Sequence, residues 1–329
     1  MTQKLTRLGI RLAMIPWLAF AAAGPLAAND STAILKAGTL QLTYSPDIRL
    51  EREDLFLSTR EVRVAYRFRN SSERDITTLV AFPLPVITVG DDVEYGINAK
   101  DPVNFIDFQV RVNGRRLQPS LQLRATRFGV DQTGLLKDHG IPILPFAPDF
   151  YQRLERLKGN ARLELERAGL VDWSTSFGAG NKPLPTPHWR AHATYYWEQT
   201  FPAGKVTEVA HSYVPVPGVS FYGAYVVEDA ALRKEYCIDN GFARAARRLM
   251  SRYPNGQMHE LHYVLTTASN WQGTIGEFNL TVDKGKAGNL VSLCFDGIRK
   301  SGPTTFVARV KDFIPERDLK IMILEPARQ

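Results

Sequence analysis

Apolar and polar side chains alternate along residues 61–70, and this is the clearest pattern in the chain. A period of two residues predicts a β-strand with one buried face. Turn-forming residues follow at 70–72, and a second extended run ends in a Pro-Leu-Pro segment at 83–85, which is typical of a strand end or a free edge. The pattern predicts an antiparallel hairpin of a β-sandwich. Its alternating apolar residues are Val62, Val64, Tyr66 and Phe68.

A second hairpin is predicted shortly afterwards. Residues 106–112 alternate between apolar and polar side chains, and Asn113-Gly114 follows directly. Asn-Gly accepts positive φ at both central turn positions, so it is a strong hairpin signal. With a return strand over 117–123, this region adds the third and fourth strands of an antiparallel core.

The segment 188–201 alternates over a greater length, and its polar parity predicts a binding surface. The apolar parity is predicted to be core: Trp189, Ala191, Ala193, Tyr195, Trp197 and Phe201. The other parity is predicted to face outward as one row: His188, Arg190, His192, Thr194, Tyr196 and Glu198. Tyrosine and arginine are enriched at interfaces. We therefore expect a partner to contact His188, Arg190, His192 and Tyr196, unless a second layer such as inserted helices covers this face.

Two regions have helical spacing. The first predicts a small helical hairpin inserted near 149–170. The second opens the last third of the chain, where an apolar stripe over 241–252 lies opposite a row of arginines that is either solvated or in contact with an anionic partner. The predicted fold class is mostly β, with two antiparallel β-sandwich-like domains. These are an N-terminal sandwich over 29–218 with the helical insert, and a helix plus β-sheet domain over 219–329.

The chain starts with a segment typical of a secretory signal peptide. Three basic residues precede the 17 residues of 12–28, which carry no charge and are rich in alanine and leucine. That run is shorter than the roughly 20 residues of a spanning helix, and it ends in small residues. We predict that residues 1–28 are removed by cleavage after Ala28 and that the mature protein, starting at Asn29, resides in the periplasm. An uncleaved anchor is the alternative.

Charge gives no sign of a nucleic-acid partner. The chain has 41 basic and 34 acidic residues, and loss of the leader removes three of the basic ones, which leaves 38 against 34, or a net +4. So small a surplus, spread along the chain, gives no basic footprint for nucleic acid. No second apolar run reaches membrane length, so no membrane span is expected after cleavage.

The two cysteines, Cys237 and Cys294, predict a structural disulfide. In an oxidising compartment such a pair is usually bridged. Neither lies in a Cys-x-x-Cys motif, so reactive-thiol chemistry is less favoured.

Recognisable catalytic and metal-binding motifs are absent from the sequence. The segment 218–222 lacks the last glycine of a Gly-x-Ser-x-Gly elbow. On an extended strand His188 and His192 would lie about 13 Å apart, too far to share one zinc ion. We expect no catalytic residues, no metal and no cofactor. Asn270 and Trp271, in a predicted turn, are candidate ligand contacts, although such an indole more often fills the end of a sandwich core.

Longer motifs lie at 63–70, 80–85, 112–114, 197–205, 265–271 and 278–285. Together they resemble a bacterial secreted family named domain of unknown function 4424. The resemblance covers nearly all of the mature chain, and it implies no activity because the family has no established function. In the order of its strands and turns, the first half is also similar to the vault and inter-alpha-trypsin-inhibitor type of β-sandwich, a module of protein interaction.

Two classes of function remain open. The first is a non-catalytic interaction or structural module of the bacterial envelope with a protein partner. The alternative is an envelope hydrolase, acting on carbohydrate or peptide, with a site at the domain junction. A deep cleft with converging Asp, Glu or His would favour the hydrolase, whereas a flat aromatic or edge-strand surface would favour binding.

Overall fold

The structure is a computed structural model that describes residues 29–36, 39–90, 101, 104–177 and 183–327. The predicted leader over 1–28 lies outside the described residues. Within the described ranges the chain is mostly β, as predicted. No helix there is long and apolar enough to cross a membrane.

The bounds of the elements are as follows. The strands are β1 Ser31–Lys36, β2 Thr39–Thr43, β3 Ile48–Leu57, β4 Val62–Asn70, β5 Ile76–Pro83, β6 Ile87–Val89, β7 Gln109–Val112, β8 Arg115–Leu117, β9 Ser120–Arg127, β10 Val130–Asp131, β11 Val171–Phe177, β12 Pro183–Pro187, β13 Trp189–Phe201, β14 Val206–Tyr213, β15 Gly218–Phe221, β16 Gln257–Tyr263, β17 Ile275–Asp283, β18 Leu290–Leu293, β19 Arg299–Lys300, β20 Thr305–Phe313 and β21 Leu319–Glu325. The helices are α1 Thr133–Asp138, α2 Phe150–Arg156, α3 Gly159–Arg167, α4 Tyr225–Glu228, α5 Ala230–Glu235 and α6 Asn240–Arg252, and a 3₁₀ helix covers Thr266–Asn270.

Three larger sheets and one small one organise these strands. The first sheet has the order β10-β9-β13-β5-β1-β2, with β6 also paired to β13. The second sheet has the order β19-β20-β17-β3-β4-β14-β7-β8. A third sheet has the order β15-β16-β21-β18, and β11 pairs with β12 as a separate ribbon.

The first and second sheets pack face to face through the residues that the alternation predicts. The apolar parity of β4 is buried, from Val62 to Phe68, and so is the apolar parity of β13. Across the interface the ring centroids of Phe68 on β4 and Phe201 on β13 lie 5.8 Å apart. Each strand thus contributes one face to a shared core, which is the arrangement of a β-sandwich.

One pairing departs from the antiparallel pattern. Strands β3 and β17 run parallel, with Glu277 opposite Arg52 and Val282 opposite Leu57. Parallel neighbours need a long crossover rather than a hairpin, and the connection here includes the whole segment between 58 and 274. Strands from both sides of residue 218 therefore lie in one sheet. The division of the chain into domains at that residue stays a prediction.

Helices cover two parts of this framework. In the region predicted to hold a helical insert, α2 and α3 bury Phe150, Leu154 and Leu165 in the main core. In the last third, α4 to α6 pack on the third sheet through a separate apolar cluster that includes Ala246 and Met322. The Asp239 carboxylate accepts a hydrogen bond from the backbone N–H of Phe242 and caps the start of α6.

The predicted disulfide between Cys237 and Cys294 is formed, with Cα atoms 5.1 Å apart. Cys237 follows α5, and Cys294 follows the edge strand β18. The bridge therefore ties the helical layer to the third sheet.

Candidate functional site

A pocket of about 320 Å³ lies where the first and second sheets meet the third. The loop after β5 forms one wall, the segment after β14 forms another, and strand β16 closes the third side. Most of its lining side chains are apolar, and several of these are buried, among them Leu84, Ile87 and Tyr213. We call this the junctional pocket, because it lies between segments that the sequence assigns to different domains. A partly open, mostly apolar space of this size is suited to a small molecule.

Strand β16 supplies the polar groups of the junctional pocket. Successive side chains of a strand point to opposite faces, so Leu261 and Tyr263 enter the main core while Glu260 and His262 lie on the other face. The Tyr236 hydroxyl donates a hydrogen bond to Glu260 Oε1 at 2.7 Å and lies 3.4 Å from His262 Nε2. No described residue forms an ion pair with Glu260. The Glu260 carboxylate, which accepts a hydrogen bond from Tyr236, thus faces an apolar space.

The electrostatic state of this group of residues follows from burial. Burial and the adjacent Glu260 carboxylate raise the pKa of Tyr236, so its hydroxyl stays protonated and remains a donor. Burial, together with the charge of Lys320, lowers the pKa of His262. The imidazole is therefore neutral at pH 7 and adds no positive charge to this wall of the junctional pocket.

Gly218 lies beside this carboxylate, because it is paired with Glu260 across β15 and β16. A Cβ atom at position 218 would lie 3.5 Å from Glu260 Oε2, which is ordinary van der Waals contact. A larger side chain at 218 would extend into the junctional pocket.

The predicted surface row on β13 is placed on the outer face of the first sheet, away from the junctional pocket. Arg190 and Glu198 are exposed, whereas His188, His192 and Tyr196 are half-buried. The row is therefore less open than the alternation alone predicts. None of its members lines the junctional pocket.

The hairpin of β1 and β2 covers the row near His192. The Leu40 backbone N–H donates to Gln122 Oε1 at 3.1 Å, which holds β2 over the outer face of β9 and β13. Leu40 and Leu42 line a small depression together with His192. His192 Nε2 is also 2.9 Å from Thr126 Oγ1, and burial, with Arg124 and Arg190 nearby, lowers its pKa. A second layer does cover part of the row, but it is a hairpin rather than the inserted helices.

The placement of Asn270 and Trp271 at a ligand-accessible turn is wrong for the indole. Trp271 is 1% exposed, and its ring centroid lies 4.6 Å from that of Phe68. Its Nε1 donates to the Asp30 carbonyl at 2.7 Å. The Asn270 amide donates to Ser31 Oγ at 2.8 Å. Both side chains hold the start of β1 inside the sandwich, because the 3₁₀ helix that ends at Asn270 lies against it.

A second group of polar residues is buried between the first and second sheets, out of contact with solvent. Asp30 Oδ2 and His211 Nε2 are 3.0 Å apart, with both side chains fully buried. Burial raises the pKa of Glu53 to about 8, and Asn29 Nδ2 donates to its Oε2 at 3.3 Å. The Tyr66 hydroxyl is hydrogen-bonded to Asn29 Oδ1 and lies 3.1 Å from the Tyr263 hydroxyl. The buried polar group thus consists of Asn29, Asp30, Glu53, Tyr66, His211 and Tyr263.

Sequence reasoning missed both groups of residues, although part of the signal was there. Glu53 shares the parity of Leu55 and Leu57, and His211 shares that of Val209 and Tyr213. A titratable residue on the apolar parity of a strand marks a buried polar site. Glu260 gave no such signal, because its role depends on Tyr236 and Gly218, which are distant in sequence. No group of three or more potential metal ligands occurs among the described residues.

The chain was compared with protein-family models, with curated proteins and with solved structures. The family model described as "Domain of unknown function (DUF4424)" matches residues 28–322. No curated protein matches the chain. A crystal structure from Legionella pneumophila, described as a "putative nutrient binding protein", has a TM-score of 0.47 and 16% sequence identity, and the match covers 91% of this chain and 72% of that one. Neither match bears out the similarity to the vault and inter-alpha-trypsin-inhibitor type of sandwich.

Proposed function

This chain belongs to the DUF4424 family, and from its own residues we propose that it is a non-catalytic ligand-binding protein of the bacterial envelope. Its ligand would be a small molecule with an apolar body and one cationic or hydrogen-bond-donating group. It would act in the periplasm after removal of the leader. A protein partner on the outer face of the first sheet remains part of this proposal.

The observation that carries the proposal is the carboxylate of Glu260 in the junctional pocket. The surrounding side chains favour an apolar body, because contact with it removes apolar surface from water. Hydrogen bonding to an ionised group is about twice as strong as hydrogen bonding between neutral groups. An alkylammonium group therefore complements this wall better than an alcohol, and far better than a carboxylate.

The pocket is less well equipped for hydrolysis. A glycosidase needs two carboxylates on either side of the scissile bond, and Glu260 is the one acidic residue among the described residues that line this space. Tyr236 is a poor acid because its pKa is raised. The geometry at the junction therefore favours binding over the envelope hydrolase, which remains the alternative.

Gly218→Leu is expected to weaken binding of n-hexylamine, which is protonated at pH 7. The new side chain would occupy the junctional pocket beside Glu260. Isothermal titration calorimetry should show measurable binding of hexylamine to the mature wild-type chain and an affinity at least about tenfold weaker for the variant, a difference of about 1.4 kcal/mol.

Gly218→Ala is the matched control. Its Cβ makes only ordinary contact with Glu260, so the melting temperature and hexylamine binding should both stay close to wild type. Unchanged binding by a folded Gly218→Leu variant would show that the junctional pocket is not the site.

A separate prediction concerns the row on β13. Replacement of Arg190 and Tyr196 by alanine should leave the melting temperature nearly unchanged and weaken recovery of crosslinked partners from the native envelope, since both residues lie on the outer face. Replacement of the exposed Tyr44 and Arg60 is the matched control. Full partner recovery by the folded double variant would exclude this row as the contact surface.

A further inference from the structure

The start of the described chain is inserted into the sandwich. Asn29 and Asp30 are fully buried. The strand that follows them, β1, belongs to the first sheet, whereas Glu53 lies on β3 of the second sheet. Thr267 Oγ1 donates to the Asn29 carbonyl at 3.0 Å, in addition to the bond from Trp271 to the Asp30 carbonyl. Residues 29–31 are therefore fixed in place from several sides.

The buried polar group carries an excess of acidic side chains. Asp30 and Glu53 are both fully buried, and His211 is the one basic side chain that contacts either of them among the described residues. Asp30 Oδ1 has no hydrogen-bond partner in the described part of the chain. A buried carboxylate without a cation must either take up a proton or lose several kcal/mol. Among the described residues, no positive group other than His211 contacts Glu53 or Asp30.

We propose that cleavage after Ala28 supplies a further positive charge. A signal peptidase adds water across the peptide bond between Ala28 and Asn29, which leaves a carboxylate on Ala28 and an amino group on Asn29 that takes up a proton. The resulting α-ammonium group remains inside the sandwich and pairs with Glu53 and Asp30. This inference rests on the proposed processing of the leader, and it is independent of ligand binding at the junctional pocket.

Covalent geometry places the α-ammonium group of Asn29 close to the Glu53 carboxylate. The Asn29 amide already contacts Glu53, and the α-nitrogen of the same residue is only a few bonds away, so it lies within about 8 Å of that carboxylate. Asp30 is the next residue along the chain. At such separations in a poorly solvated interior, opposite charges attract strongly. The unprocessed chain has an uncharged amide at this position, so the fold would reach full stability only after export.

The test compares two chains released from a fusion whose protease leaves no residue behind. One chain begins at Asn29, and the other carries one additional alanine at its start, which moves the ammonium group along by one residue. At pH 8 the extended chain should melt roughly 5–10 °C lower, because a buried pair is broken. In a Glu53→Gln background, the additional alanine should lower the melting temperature by at most half as much. Equal melting temperatures for the two wild-type chains would overturn the proposal.

Chemical labelling gives a second readout that does not depend on a variant. Reductive methylation with ¹³C-formaldehyde should modify the α-amino group of the folded chain at least about tenfold more slowly than that of the urea-unfolded chain, as expected for a group in a cooperative core. Equal rates would show that the amino group is exposed. N-terminal sequencing of the exported protein tests the processing itself, and any start other than Asn29 would overturn the inference while leaving the pocket proposal intact.

The pH dependence of stability should differ between the two chains. Without the ammonium, the pKa of Glu53 is raised from 4.5 to about 8, so the folded state holds a proton that the unfolded state has lost. The corresponding stability is fully present below pH 4.5 and is lost as the pH rises towards 8. The extended chain should therefore lose stability over this range, and the chain that begins at Asn29 should lose less. The groups that face Glu53 or its neighbours are Asn29, Asp30, Tyr66, His211 and Tyr263, and the charge of Asp54 acts from the opposite face of β3.

Discussion

Trp271→Ala is expected to lower the free energy of unfolding by about 3–5 kcal/mol. The indole is packed against Phe68 and Phe201, with ring centroids 4.6 and 6.0 Å away. Truncation would leave a cavity between the first and second sheets. It would also remove the donor to the Asp30 carbonyl, which is buried with no solvent to replace it. Urea unfolding followed by circular dichroism measures this loss.

Two further variants separate the causes of that loss. Trp271→Phe keeps much of the ring contact but removes the Nε1 donor, so its effect should be intermediate. Phe221→Ala removes a ring that is 74% exposed, and it should change stability by less than about 0.5 kcal/mol. A Trp271→Ala variant as stable as Phe221→Ala would contradict the buried position of the indole.

The double variant Cys237→Ser and Cys294→Ser is expected to lose about 4 kcal/mol of stability, from the entropy of the loop that the bridge closes. The two residues are 57 positions apart. The bridge fastens α5 to the edge strand β18, so the helical layer on the third sheet should unfold first in the variant. Urea unfolding in the absence of reductant compares the two proteins.

Reductant provides the control for the disulfide. Dithiothreitol should bring the wild-type midpoint down to that of the double variant, and it should leave the variant unchanged. Alkylation followed by mass measurement identifies the thiols independently. Two thiols that alkylate without prior reduction in the exported protein would rule out the bridge.

Local alternation was sufficient to predict the parts of the fold that depend on neighbouring residues. The buried parity of β13, from Trp189 to Phe201, follows from a period of two, because a strand has only two faces. The Asn113-Gly114 turn between β7 and β8 follows from its tolerance of positive φ, which both residues have.

Long-range placement was not predictable from these patterns. Strand β17 has the alternation of any half-buried strand, and nothing local in it specifies a parallel partner in β3. The accessibility of the row on β13 depends on a hairpin that folds over it from a distant part of the chain. The junctional pocket combines residues from four separate segments, around 86, 106, 216 and 261, so its carboxylate became evident only when the sheets were assembled.

The most direct measurement of the proposed function is the selectivity of the junctional pocket between hexylamine and n-hexanol, which have equal chain lengths. By isothermal titration calorimetry, the wild-type chain should prefer the ammonium by about tenfold, because a charged hydrogen bond contributes roughly 1.5 kcal/mol or more. Glu260→Gln should reduce that ratio to about one while keeping the affinity for hexanol. Glu198→Gln, which removes an exposed carboxylate elsewhere, should leave the ratio unchanged. Equal affinities in the wild-type chain, or a preference that survives in Glu260→Gln, would contradict the assignment of the junctional pocket as a site for cationic apolar ligands.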